Sequence, residues 1–176
     1  MSWKWLRAAG RYGPPILLAL ITGNYALALP TQTFQVSAAI VAGCVVSGTN
    51  TGVFGALNFG TRSGVETNTI SASYVQSSNI NIACTPGTSL SMSINGGSYY
   101  TTTRNLKLAN FNNTVAYRLY TNASYSAASE IPVNQNVALS YSNANNITLP
   151  IYGRLQLSGV QRPGSYSDTL TVTLSW

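Results

Sequence analysis

The stretch Tyr166-Ser-Asp-Thr-Leu-Thr-Val-Thr-Leu-Ser-Trp176 alternates, with Tyr166, Leu170, Val172, Leu174 and Trp176 on one face and only Ser and Thr on the other. A period of two is the pattern of a β-strand buried on one side. As the closing segment, this strand has no following sequence to cover its free edge. Near the other end, Phe34, Val36, Ala38 and Ile40 alternate with Gln35 and Ser37, again in the manner of a strand. An uncovered strand at one end and a spare apolar strand at the other imply that one copy completes another.

Working outward, strand signals recur and helix signals do not. Cys44-Val45-Val46, Val53 to Gly60, Thr69 to Cys84, Leu90 to Ile94, Val115 to Tyr120, Val137 to Tyr141 and Ile147 to Leu157 read as short strands. Asn95-Gly96-Gly97 is a hairpin signal, because Asn and Gly accept positive φ. Short strands separated by turn residues predict an all-β antiparallel sandwich.

Residues 1–28 stand apart. Lys4, Arg7 and Arg11 precede the apolar run Ile16 to Ile21, and Ala26-Leu27-Ala28 is a small-x-small cleavage site. This is the layout of a secretory signal peptide, and the apolar run is well below the ~20 residues of a spanning helix. The segment carries three of the nine basic residues and no acid, so the exported chain has a charge of +3 against +6 for the whole. Its cations, Arg62, Arg104, Lys107, Arg118, Arg154 and Arg162, are scattered, unlike the clustered patch that binds nucleic acid. Residues 29–176 suit one domain. In an exported chain a disulfide is the natural reading of Cys44 and Cys84, with two buried free thiols as the alternative.

Little chemistry is available. There is no histidine, and the only acids are Glu66, Glu130 and Asp168. The usual general base and commonest metal ligand are thereby missing, and no cofactor motif is present. Glu66 and Glu130 lie in polar, loop-like contexts that suit a solvated surface. Asp168, on the inward face near the start of the last strand, suits pairing with an arginine or capping a turn. Three Asn-x-Ser/Thr triplets, at Asn112, Asn122 and Asn146, are expected by chance in so Asn-rich a chain. The chain does not read as an enzyme.

Several segments together resemble a known family. They are Phe34-Gln-Val36-Ser-Ala38-Ala-Ile40 with Gly43-Cys44, Phe54-Gly55-x-Leu57-x-Phe59-Gly60, Ile82-Ala-Cys84 and Ile94-Asn-Gly-Gly97. Further along come Val115-Ala-Tyr117-Arg-Leu119-Tyr120, Leu149-Pro-Ile151-Tyr-Gly153 and Pro163-Gly164-x-Tyr166-x-Asp168-Thr-Leu170-x-Val172-Thr. In this order they resemble the spore coat protein U family, which includes subunits of archaic (Csu-type) chaperone–usher pili.

The resemblance implies an incomplete immunoglobulin-like sandwich lacking its last strand and completed by a donated one. It implies a signal peptide at 1–28, a donor segment at 29–41 and a pilin domain at 42–176. Phe34, Val36, Ala38 and Ile40 would be donor side chains; Tyr166, Leu170, Val172, Leu174 and Trp176 would line or border the acceptor groove. Cys44 and Cys84 match the family's disulfide. Ala39 and Val41 depart from the pattern, being apolar on the supposed outer face.

The partners implied are a periplasmic pilus chaperone, an outer-membrane usher and neighbouring copies or related pilins. No nucleic acid is implied, and membrane is met only during export. The chain would pass through the periplasm to the cell surface and serve adhesion and biofilm formation, with no cofactor. The alternatives are a tip adhesin or carbohydrate-binding module, and a secreted coat protein assembled by the same route.

Overall fold

The computed structural model describes residues 35–49 and 51–176. The expected signal peptide and Phe34 lie outside them. The chain divides into two units, one ending at Ala38 and one spanning Ala39–Trp176. Of the first, Gln35 to Ala38 carry no regular secondary structure, and Val36 is exposed.

The second unit is all-β: β1 (Cys44–Gly48), β2 (Gly55–Leu57), β3 (Thr69–Gln76), β4 (Ile80–Cys84), β5 (Leu90–Ile94), β6 (Arg104–Leu108), β7 (Thr114–Tyr120), β8 (Val137–Leu139), β9 (Tyr152–Gln156), β10 (Tyr166–Ser167) and β11 (Val172–Ser175). A single 3-10 turn, Ala127–Ser129, is the sole helical element among the described residues. Six strands form one antiparallel sheet in the order β10-β6-β7-β9-β3-β2. The other side consists of the pair β1-β4 and the trio β11-β5-β8. A turn at residues 143–146 borders β4, with bonds from Cys84 N–H to the Ala144 carbonyl and from Ile147 N–H to the Ile82 carbonyl.

Alternation explains why these segments pair as they do. In β7, Val115, Tyr117 and Leu119 are buried while Thr114, Ala116 and Arg118 are exposed. In β4 and β5, Ile80, Ile82, Cys84, Leu90, Met92 and Ile94 all point inward. The inward rows of both sides merge into one core, whose fully buried members include Ile82, Met92, Ile94, Leu119, Ile131 and Leu149. A one-residue slip in any of these strands would turn its apolar row to solvent, so burial fixes the register. This is the all-β antiparallel sandwich that the alternation predicts.

Three expectations need correction. The stretch from Tyr166 to Trp176 is two strands: β10 pairs with β6 in the six-stranded sheet, and β11 pairs with β5 on the other side. Alternation survives because the chain stays extended while it crosses from one sheet to the other. Asn95-Gly96-Gly97 closes no hairpin, since β5 and β6 belong to different sheets. In the run from Ile147 to Leu157 only Tyr152–Gln156 is a strand. Pro150 lacks the N–H that a ladder would use there.

Candidate functional site

β11 is held along one edge only. Its register on β5 sets Val172 opposite Ile94, Thr173 opposite Ser93, Leu174 opposite Met92 and Ser175 opposite Ser91. Among the described residues no strand pairs with its other edge. The consequence shows in burial. Leu90, Met92 and Ile94 of β5 are at most 3% exposed, whereas Leu170, Val172 and Leu174 are only half-buried against the same core. An uncovered strand edge with a half-wet apolar row is a template for an added strand.

The expected groove residues are placed unequally. Leu170, Val172 and Leu174 share the inward face at this edge. Tyr166 sits on the other sheet, opposite Leu108, and its hydroxyl donates to the Arg162 carbonyl. Trp176 is 61% exposed, and a methyl group added at Gly43 would lie 3.9 Å from its Nε1. The end of β11 therefore comes close to the start of β1. Of the expected donor residues, Val36 and Ala38 are exposed, Ile40 is 89% exposed, and residues 35–43 carry no strand.

The crossover from β10 to β11 is clamped by residues whose role the sequence left open. Asp168 Oδ1 accepts from Ser98 N–H and Thr169 N–H, and Oδ2 accepts from the Tyr117 hydroxyl, each at 2.8 Å. Asn95 Oδ1 accepts from Gly97 N–H and from Thr171 N–H. Gly97 has φ +83, and a Cβ there would fall 2.0 Å from Asp168 Oδ2, so only glycine fits beneath the carboxylate. The Asn-Gly-Gly signal thus marks a socket for the crossover. Asp168 caps a turn, and no arginine nitrogen among the described residues forms an ion pair with it.

Behind the socket lies Arg104, 3% exposed. Its Nε donates to the Asn95 carbonyl, Nη1 to that of Ile131, and Nη2 to those of Ile94 and Pro132. The guanidinium binds β6 of one sheet to the end of β5 in the other, using carbonyls alone. Burial lowers its pKa from the usual arginine value, partly opposed by the Tyr117 hydroxyl and by Glu130. Burial, reinforced by the bond to Asp168, pushes the Tyr117 phenol well above its ordinary range. An inward arginine at an alternating strand position was the available signal for this tie, and composition alone does not expose it.

Cys44 and Cys84 form a disulfide between directly opposed residues of β1 and β4. Glu66 accepts from Ser63 N–H in a loop, and Glu130 pairs with Arg118. Among the described residues, no group of three or more His, Cys, Asp or Glu is arranged to hold a metal ion. Likewise, no helix there is long and apolar enough to cross a membrane. What the β11 edge offers is main-chain hydrogen bonding and apolar contact.

These features define an antiparallel β-sandwich whose last strand keeps an unpaired edge. The chain belongs to the Spore Coat Protein U domain family, whose profile matches residues 30–173. Among curated proteins, none matches the chain. Among solved structures, it is similar to the CsuC–CsuE chaperone–tip adhesion subunit pre-assembly complex from the archaic chaperone–usher Csu pili of Acinetobacter baumannii. That likeness has a TM-score of 0.46 and 18% identity, and covers 78% of this chain and 40% of that one. The chain thus spans less than half the length of that neighbour.

Proposed function

We propose that this protein is an exported, non-enzymatic structural subunit of a chaperone–usher pilus that polymerises by donor-strand exchange. The observation that carries the reading is the edge of β11. Leu170, Val172 and Leu174 remain half-buried there, beside a strand whose own inward residues are sealed. Residues 29–41, with Phe34, Val36, Ala38 and Ile40, are the donor segment, and the groove of another copy or a related pilin is the acceptor. A periplasmic chaperone fills the edge during export, and an outer-membrane usher exchanges it for the next subunit's donor segment. Surface adhesion and biofilm formation are the roles such a fibre serves.

Burying three or four donor side chains, at about 1.5–3 kcal/mol for each large one, gives roughly 5–9 kcal/mol before the added ladder bonds. That is ample for a fibre that persists without an energy-consuming step.

Native mass spectrometry on periplasmic protein tests the proposal. Polymers from the full chain should vanish on deleting residues 29–41, while chaperone binding survives. Leu174→Lys should abolish both, whereas Thr173→Lys, on the outer face, should spare both. A monomer from the full chain, or polymers indifferent to the deletion, would refute donor-strand exchange.

A further inference from the structure

β11 keeps its place with nothing paired to its outer edge among the described residues. It is four residues long, paired on one side only, and its inward Val172 and Leu174 are half-buried. So short a strand with one partner frays unless its ends are held. Both ends are held. At the exit, Ser91 Oγ donates to the Ser175 carbonyl at 3.3 Å. At the entry, Asn95 and Thr171 grip one another twice. Asn95 N–H donates to the Thr171 carbonyl at 3.1 Å, and Thr171 N–H donates to Asn95 Oδ1 at 2.9 Å. Ahead of that grip sits Asp168, one of only three acids in the chain. Its carboxylate joins three separate parts of the molecule. Oδ1 accepts from Thr169 N–H in the crossover and from Ser98 N–H in the loop after β5, while Oδ2 accepts from the Tyr117 hydroxyl. Bonds to an ionised acceptor are about twice as strong as neutral ones. Tyr117 is 4% exposed, on a strand flanked by β6 and β9, so the crossover is tied to the sealed core rather than to another loop.

We propose that Asp168 is a positioning residue for strand acceptance: its socket holds β11 in its final register while the outer edge is empty, so that an arriving donor meets a formed ladder edge. The inference rests on the donor-strand reading above and adds to it the residue that readies the acceptor. Its physical content is preorganisation. Where β11 is ordered beforehand, a donor loses only its own freedom on binding. Where β11 is loose, the apparent affinity falls by the fraction of molecules that have it in place. The occupied state is the same in both cases, because the added ladder itself orders β11. Loss of the socket therefore slows capture and leaves release unchanged. Loss of a side chain that touches the donor does the reverse.

The test mixes the protein with a fluorescent synthetic peptide of residues 29–41. Anisotropy gives the association rate per titrated groove, and a chase with unlabelled peptide gives the dissociation rate. Hydrogen exchange followed by mass spectrometry reads residues 170–175 in the protein without peptide. Asp168→Ala should slow association about tenfold or more, leave dissociation within about twofold, and speed that exchange about tenfold. Asp168→Asn keeps an acceptor for the two N–H groups and loses the charge, so it should change in the same direction by less. Ser98→Ala, which keeps the backbone N–H, should match wild type. So should Ile70→Val, a loss of core volume in β3 away from the crossover. Circular dichroism separates lost capture from lost fold; if Asp168→Ala unfolds, Asp168→Asn carries the decision. The inference is overturned by unchanged association in the Asp168 variants, by a loss that falls on dissociation, or by equal slowing in Ile70→Val. A wild type that captures no peptide overturns the donation reading and this inference with it, whereas capture indifferent to Asp168 overturns this inference alone.

Discussion

Replacing Arg104 by methionine removes the tie between the two sheets and should destabilise the domain by about 2–4 kcal/mol. The figure follows from its four acceptors. Ile94 O keeps a second donor, the Asn134 N–H at 3.0 Å, and the Pro132 contact at 3.4 Å is long. Asn95 O and Ile131 O, each bonded at 2.9 Å, lose the guanidinium. A buried carbonyl left unpaired costs about 1–3 kcal/mol and a part-buried one less, so Ile131 O and Asn95 O together cost roughly 2–5. Against this, methionine no longer buries a cation that lacks a carboxylate partner, which returns part of the loss. The net of 2–4 kcal/mol is a large share of the roughly 5–15 that such a domain possesses. Urea unfolding of the protein, followed by far-UV circular dichroism, should show a midpoint lowered by about 1–2 M at an unchanged slope near 2 kcal/mol per M. Arg104→Ala, which also leaves a cavity, should fall further. An Arg104→Met midpoint within 0.3 M of wild type would refute the reasoning, since the charge would then cost as much to bury as its bonds return.

Two other outcomes follow from the same structure. Reducing the Cys44–Cys84 bridge, which spans a sequence separation of 40, should lower stability by about 2–4 kcal/mol, read as the difference between urea curves with and without reductant. Stability should also fall in alkali: burial holds the Tyr74 phenol at about 12, and Tyr117 is raised as well. A raised phenol leaves stability intact below the unfolded value near 10. Above it, up to the folded value, the unfolded chain releases protons that the folded chain keeps, so stability is lost at up to about 1.4 kcal/mol per pH unit for each tyrosine. Thermal melts between pH 9 and 12 measure this, and Tyr74→Phe should flatten the decline.

The legibility of the fold has physical limits that particular residues show. Val115, Tyr117 and Leu119 declare an inward row by alternation, as do Leu90, Met92 and Ile94, because burial on one face leaves a local period of two. The same period misleads at residues 166–176. Extended backbone alternates whether it stays in one sheet or crosses to another, so Tyr166 and Leu174 look alike and lie in different sheets. Asn95-Gly96-Gly97 announces positive φ correctly at Gly97, but local preference cannot say whether the turn joins partners or receives a distant carboxylate.

What the sequence determined by itself is therefore what neighbours along the chain govern: the all-β class and most strand centres. The tertiary structure alone decided what depends on segments far apart. It set the partner of each half of the closing strand, the carbonyls around Arg104, the Asp168 socket and the opposition of Arg118 to Arg154. Each joins elements that are separate along the chain. Its energy comes from burial and desolvation, which exist only once the two sheets have closed on a common core.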